Sequence, residues 1–358
     1  MNRPLRAIAV SAIAVAAAVS PRAQNQTALT PFGAPPIETY LELLRQQAGV
    51  PGMSAVILQD RQVTWERGFG HQDLESRIIA TPITPYPVAD LSQTLAAILT
   101  LQCVEHRRFA LDDSAQRYGA KVEEATLRQV LTHAAPGATG DTFKYDPARY
   151  AELTYAIEWC APQSYRKSVS HRILQRLGMV DSVPGTDLSN PTVVPEEMWD
   201  PAILERYQRV LEKIAVPYKV DKKGKATRAD ALPPEGVSAA NGLVTTVRDL
   251  ARLDVALDDA VLLTEESTSA MWRNAPGKNG LVLPTGLGWF VQSYNGEPVV
   301  WHFGVVPNAY SALWIKLPAR KITFILLANS DGLVAPYQLQ SGDVTKSVFA
   351  NLFLRLFT

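Results

Sequence analysis

Four stretches near the C-terminal end, "LGWFVQSY", "PVVWHFG", "YSALWIKL" and "KITFILLAN", constrain this chain more than any other feature. Each is seven to nine residues rich in aromatic and branched side chains. Turns at Asn295-Gly296 and Pro318-Ala319-Arg320 separate them, so they read as consecutive antiparallel strands. Near the other end, "GMSAVILQDRQVTWERGFGHQD" is an apolar run, a polar corner at Gln59-Asp60-Arg61, then alternation through Val63 and Trp65 to Gly68 and Gly70, which is a hairpin. A helical pattern, "PPIETYLELLRQQAG", precedes that hairpin, and another, "DVTKSVFANLFLRLF", closes the chain. Both ends therefore supply strands and a helix. The simplest packing is one antiparallel sheet completed by both termini, flanked by N- and C-terminal helices and carrying whatever lies between as an insertion.

What lies between reads as helices. Spacing and breakers predict them over 91–107, 126–133, 148–159, 163–177 and 202–214, with "VDKKGKATRADALPPEG" an exposed loop. The expected fold class is α+β, with 24–90 and 245–358 forming an α/β sandwich domain and 91–244 an inserted all-helical domain. Residues 1–23 form a secretory signal: Arg3 and Arg6 precede an apolar run from Ala7 to Val19, followed by small residues at Ser20 and Ala23. That run is shorter than the roughly 20 residues a membrane span needs, so the mature chain is expected to be secreted or periplasmic, in a bacterium, with no membrane span. Cys103 and Cys160 could then form a disulfide or remain buried thiols. Lys plus Arg equals Asp plus Glu at 35 each, which leaves no field to draw in nucleic acid. No histidine pair has metal-ligand spacing, and no cofactor is expected.

Seven fragments occur in an order that resembles the serine β-lactamase and penicillin-binding-protein-like superfamily, in the branch of class C β-lactamases, D-alanyl-D-alanine carboxypeptidases and related esterases. They are "LTLQCVEHRRFALDDSAQRY", "ATLRQVLTHAAPGA", "SHRILQRLGMVDS", "NGLVTTVRDLARLDVAL", "GLGWFV", "HFGVVPNAYSALW" and "ILLANSDG". The resemblance covers essentially the whole mature chain. It implies a serine in the pattern Ser-x-x-Lys at the start of the first inserted helix, where i and i+3 share a face and lysine can take the serine proton. Those two positions are Asp90 and Gln93 here. The implied Tyr-x-Asn falls on Tyr145-Asp146-Pro147, which keeps the tyrosine but loses the substrate-holding amide. The implied Lys-Thr-Gly or His-x-Gly falls intact on His302-Phe303-Gly304, on an edge strand lining the pocket.

Neighbouring residues offer no replacement. Ser92 is about 200° round the helix from position 90. Ser164-Tyr165-Arg166-Lys167 repeats the Ser-x-x-Lys pattern by chance on an ordinary surface helix. Asp90 followed by Gln93 reads as a capping box, each side chain satisfying an orphan backbone N–H. His133 reads as a local structural histidine. Three functions stand: a protein without serine acyl transfer whose remnant pocket, including Pro147, Phe303 and Gly304, takes a peptidoglycan fragment, peptide or small ester or amide; a hydrolase or esterase using Asp90, Tyr145 and His302; or an interaction scaffold with a filled pocket.

Overall fold

The computed structural model describes residues 34–138, 140–190 and 200–358; side chains are described from Ile37 onward. The export signal expected over 1–23 lies outside these residues. The chain begins with α1 (Ala34–Gln47), then β1 (Gly52–Gln59), β2 (Gln62–Asp73) and β3 (Ile78–Ile79), with a two-residue strand β4 (Tyr86–Pro87) leading into α2 (Gln93–Glu105). The intervening block holds α3 (Leu127–Leu131), β5 (Ala134–Ala135), β6 (Thr142–Phe143), α4 (Pro147–Ala151), α5 (Leu153–Cys160), α6 (Tyr165–Val169), β7 (Val183–Pro184) and α7 (Pro201–Leu211). After it come β8 (Tyr218–Val220), β9 (Ala226–Arg228), β10 (Leu243–Thr245), α8 (Val247–Asp258) and α9 (Glu265–Met271). The chain ends with β11 (Phe290–Tyr294), β12 (Glu297–Val306), β13 (Tyr310–Leu317), β14 (Ile322–Ala328) and α10 (Val348–Phe357).

The main sheet runs β11-β12-β13-β14-β1-β2-β3, antiparallel throughout, so strands from the two ends of the chain meet where β14 pairs with β1. Both faces are covered, which is why β13 and β14 are buried at every position. Ala55, Ile57, Leu313, Ile315, Phe324 and Leu326 point to one side and share a core with α1 and α10. Val56, Leu58, Trp314, Ile325 and Leu327 point to the other and share a core with α2, α5 and α8. The two-residue alternation of a strand assigns each side chain to its layer.

Two differences from the sequence reading have local causes. The segment taken as one loop starts as the β8–β9 hairpin, whose turn is shaped by Asp221 accepting N–H bonds from Lys223 and Lys225. The helix expected over 148–159 is split at Glu152 into α4 and α5. Cys103 and Cys160 are joined, their Cα atoms 6.1 Å apart, tying α2 to α5.

Across the helix-facing side of the sheet, Lys316 of β13 reaches Asp254 of α8 at 2.5 Å and Asp258 at 3.1 Å. Lys316 and Asp254 are 2% and 1% exposed, and Trp314 donates its indole N–H to Asp254. This is a fully paired buried charge that pins α8 to the sheet.

Candidate functional site

The site forms where β12 passes the entry to α2. A Cβ on Gly304 would sit 1.9 Å from the Val88 carbonyl oxygen and 3.1 Å from the Leu91 nitrogen. Only glycine lets the two backbones approach so closely. β11 pairs with β12 from Glu297 to Trp301 and no further, so 302–306 keeps a free edge toward the site although β12 is an interior strand of the sheet. The turn itself bends at Ala89, with φ of 45°, and continues as a short 3₁₀ segment over Ala89–Ser92 before α2 begins.

The capping-box expectation fails here. Neither the 3₁₀ segment nor α2 has a side-chain cap bond. The Asp90 carboxyl instead faces the backbone N–H groups of Asp90 itself and of Val305. Burial pushes its pKa up to about 7, and the two N–H groups oppose that rise without cancelling it. Ser92, as its position on the turn requires, is buried on another side, where its hydroxyl accepts the Leu243 N–H at 3.2 Å.

Gln93 is fully buried in a chain of hydrogen bonds. The Asp146 N–H donates to His133 Nδ1 at 3.1 Å, so the proton of a neutral ring lies on Nε2. Nε2 then donates to Gln93 Oε1 at 2.9 Å, which turns the Gln93 amide nitrogen toward the Tyr145 hydroxyl at 3.4 Å. Burial and the neighbouring His302 and Arg149 hold His133 well below the ordinary histidine range, consistent with the neutral ring. His133 therefore belongs to the site. Its position in an apolar run gave no sequence signal beyond that of a core histidine.

Tyr145 stacks obliquely among His133, Phe303 and Phe290, at ring separations of 4.4, 5.4 and 5.7 Å. Burial, and after it the Asp90 charge, raise its pKa well above the ordinary value, and the hydrogen bond from Gln93 opposes that rise only in part. Pro147 is the first residue of α4, where its missing N–H would be unpaired in any case, and Asp146 caps that helix through the Arg149 N–H at 3.0 Å. The position expected to hold substrate has thus become a helix start. His302 is 1% exposed, its Nδ1 beside the Phe303 backbone N–H at 2.9 Å, and burial lowers its pKa to about 4. Ser164 and Lys167 also have a structural role: the serine hydroxyl caps α6 by accepting the Lys167 N–H at 3.2 Å.

Beside Asp90 opens a cleft of about 470 Å³. Its lining includes Thr186, the Leu232–Glu235 stretch, Asn241 and the Val305–Pro307 stretch, with Asp90 on one wall. Among the described residues no group of three or more His, Cys, Asp or Glu side chains could hold a metal ion, and no helix is long and apolar enough to cross a membrane.

A sheet closed by both termini, a helical block on one face and a cleft at the first inserted helix are the features of penicillin-binding-protein-like folds. The chain belongs to the β-lactamase family, whose model, described as Beta-lactamase, matches residues 37–344. Among curated proteins it is similar to Protein flp of Staphylococcus aureus (strain NCTC 8325 / PS 47), 24% identical over an alignment 182 residues long that covers 40% of this chain and 36% of that protein. The chain thus spans little more than a third of the length of that relative. Among solved structures it resembles the octameric penicillin-binding protein homologue from Pyrococcus abyssi, with a TM-score of 0.69, 22% identity and coverage of 90% of this chain and 78% of the other. It also resembles the D-amino acid amidase from Ochrobactrum anthropi SV3, with a TM-score of 0.64, 17% identity and coverage of 89% and 98%. At these identities the structures speak to the fold alone.

Proposed function

We propose that this chain is an exported member of the family that performs no covalent serine acyl transfer and binds its ligand reversibly in the cleft beside residue 90. One observation carries the reading: the carboxyl of Asp90 lies against the N–H groups of Asp90 and Val305. Acyl transfer needs a nucleophile, a base to take its proton and free donors for the oxygen that becomes negative. Asp90 offers no hydroxyl, Gln93 carries an amide with no basic nitrogen, and the pair of N–H donors already faces an oxygen acid. The open cleft disfavours a scaffold with a filled pocket. The Cys103–Cys160 bond suits an oxidising compartment and supports export. Peptides and small cell-wall fragments, which present amino groups as well as carboxylates, remain the expected ligand classes.

The deciding experiment treats the purified chain with a fluorescent penicillin and a nitrophenyl ester. The expected outcome is neither labelling nor turnover, and either one persisting in Asp90→Ala ends the proposal. The double change Asp90→Ser with Gln93→Lys restores the missing groups, and recovered labelling would localise the loss to them.

A second reading has one observation in its favour, a carboxyl whose pKa of about 7 suits a general base at neutral pH. It requires ester turnover that rises through pH 7 and disappears in Asp90→Asn.

A further inference from the structure

Resting on the reversible-binding reading above, we propose that the cleft beside Asp90 selects a small organic ammonium ion with an apolar flank and rejects carboxylate-ended ligands. The argument is one of charge and surface. Among the described residues lining the cleft there is no lysine, arginine or histidine, whereas two carboxylates, Asp90 and Glu235, line it. Pro233, Pro234, Val306 and Pro307 supply rigid apolar surface between polar groups. The guanidinium of Arg166 lies behind this wall: its Nη2 would be 3.0 Å from a Cβ on Gly236. It is held by both oxygens of Asp187 at 2.8 and 2.6 Å, so its charge is already answered. An incoming carboxylate would find the backbone donors facing Asp90 and two like charges nearby. An ammonium group would find acceptors.

The groups packed around Asp90 define the pH dependence. Tyr145 faces it from the helical block, with His133 set behind Gln93, and His302 lies on β12, with Glu235 elsewhere on the lining. Tyr145 is raised, and both histidines are lowered, so these three stay uncharged from about pH 6 to 8. Ionisation near pH 7 therefore belongs to Asp90.

The test uses the full chain and three probes of similar shape: phenethylamine, phenethyl alcohol and 3-phenylpropanoate, titrated by calorimetry at pH 6 and pH 8. The expected result is preferential binding of the amine, about tenfold tighter at pH 8 than at pH 6, because the ionised fraction of a group with a pKa near 7 rises by that factor. Asp90→Asn should abolish the pH dependence and weaken the amine at least tenfold. Glu235→Gln, at an exposed position where the amide oxygen can still accept the Asn241 N–H, should weaken it about twofold or more. Binding of 3-phenylpropanoate as tight as the amine, amine affinity unchanged between the two pH values, or no binding by any probe overturns the proposal. None of the probes can acylate the protein, so penicillin labelling would remove the reversible-binding reading while leaving this charge preference to be judged on its own data.

Discussion

Two acidic centres, one buried and one half-buried, face the helical side of the same sheet, and they are built on opposite terms. Asp254 and Asp258 share Lys316, with Trp314 and Thr323 completing the hydrogen bonds around them. Among the described residues no cation acts on Asp90, which is met by two backbone N–H groups. In the first centre an ion pair fastens α8 to β13. In the second an unpaired carboxyl is kept beside a cleft, where its burial raises its pKa and makes it responsive near pH 7. A paired buried charge is a fastening; an unpaired one at an opening is maintained against its own desolvation, which is what a binding group requires.

The largest effect that would sharpen this contrast is Lys316→Met. It leaves Asp254 buried without its counter-charge and should destabilise the protein by about 3–5 kcal/mol in urea unfolding. A loss under about 1 kcal/mol would show that the centre is solvated and the contrast false.

Asp90→Asn should act the other way. The native pKa lies near 7 against an ordinary 3.8, so the native state holds this proton more tightly than the unfolded chain. The stability associated with that proton is complete below about pH 4 and is lost as pH rises toward 7. Asparagine removes the loss, so the variant should gain about 2 kcal/mol relative to the parent at pH 8 and little at pH 4, the gain being held down because Asp90 keeps some solvent access. Equal gains at both pH values would mean that the carboxyl is not the titrating group. The smallest effect is Ser164→Ala, which removes a helix cap distant in role from either centre. It should lower stability by about 1 kcal/mol and leave ligand affinity in the cleft unchanged.

Much of the architecture could be read before any coordinates. The strands in "YSALWIKL" and "KITFILLAN", the hairpin after Gly52 and the helices of the middle block all announce themselves through periodicity and turn residues. The boundaries that moved did so for local reasons, such as the break at Glu152 between α4 and α5. The candidate site was read from the sequence as a set of replaced groups at 90, 93 and 147. Its actual wiring was not. Asp90 looked like a helix cap because an aspartate three residues before a glutamine has that pattern, yet the carboxyl turned toward Val305 on a strand more than two hundred residues away. His133 looked like a filler of its own turn and became the donor that orients Gln93.

The sequence by itself determined the sheet and its two covered faces, and it puts aspartate and glutamine at positions 90 and 93, because hydrophobic alternation and residue identity are local and survive in one dimension. Only the tertiary structure decided what Asp90 does instead. The groups that receive it are backbone N–H donors, which nearly every residue carries alike, so their selection depends on how closely Gly304 lets β12 approach the turn at Val88 and on nothing a side-chain pattern records.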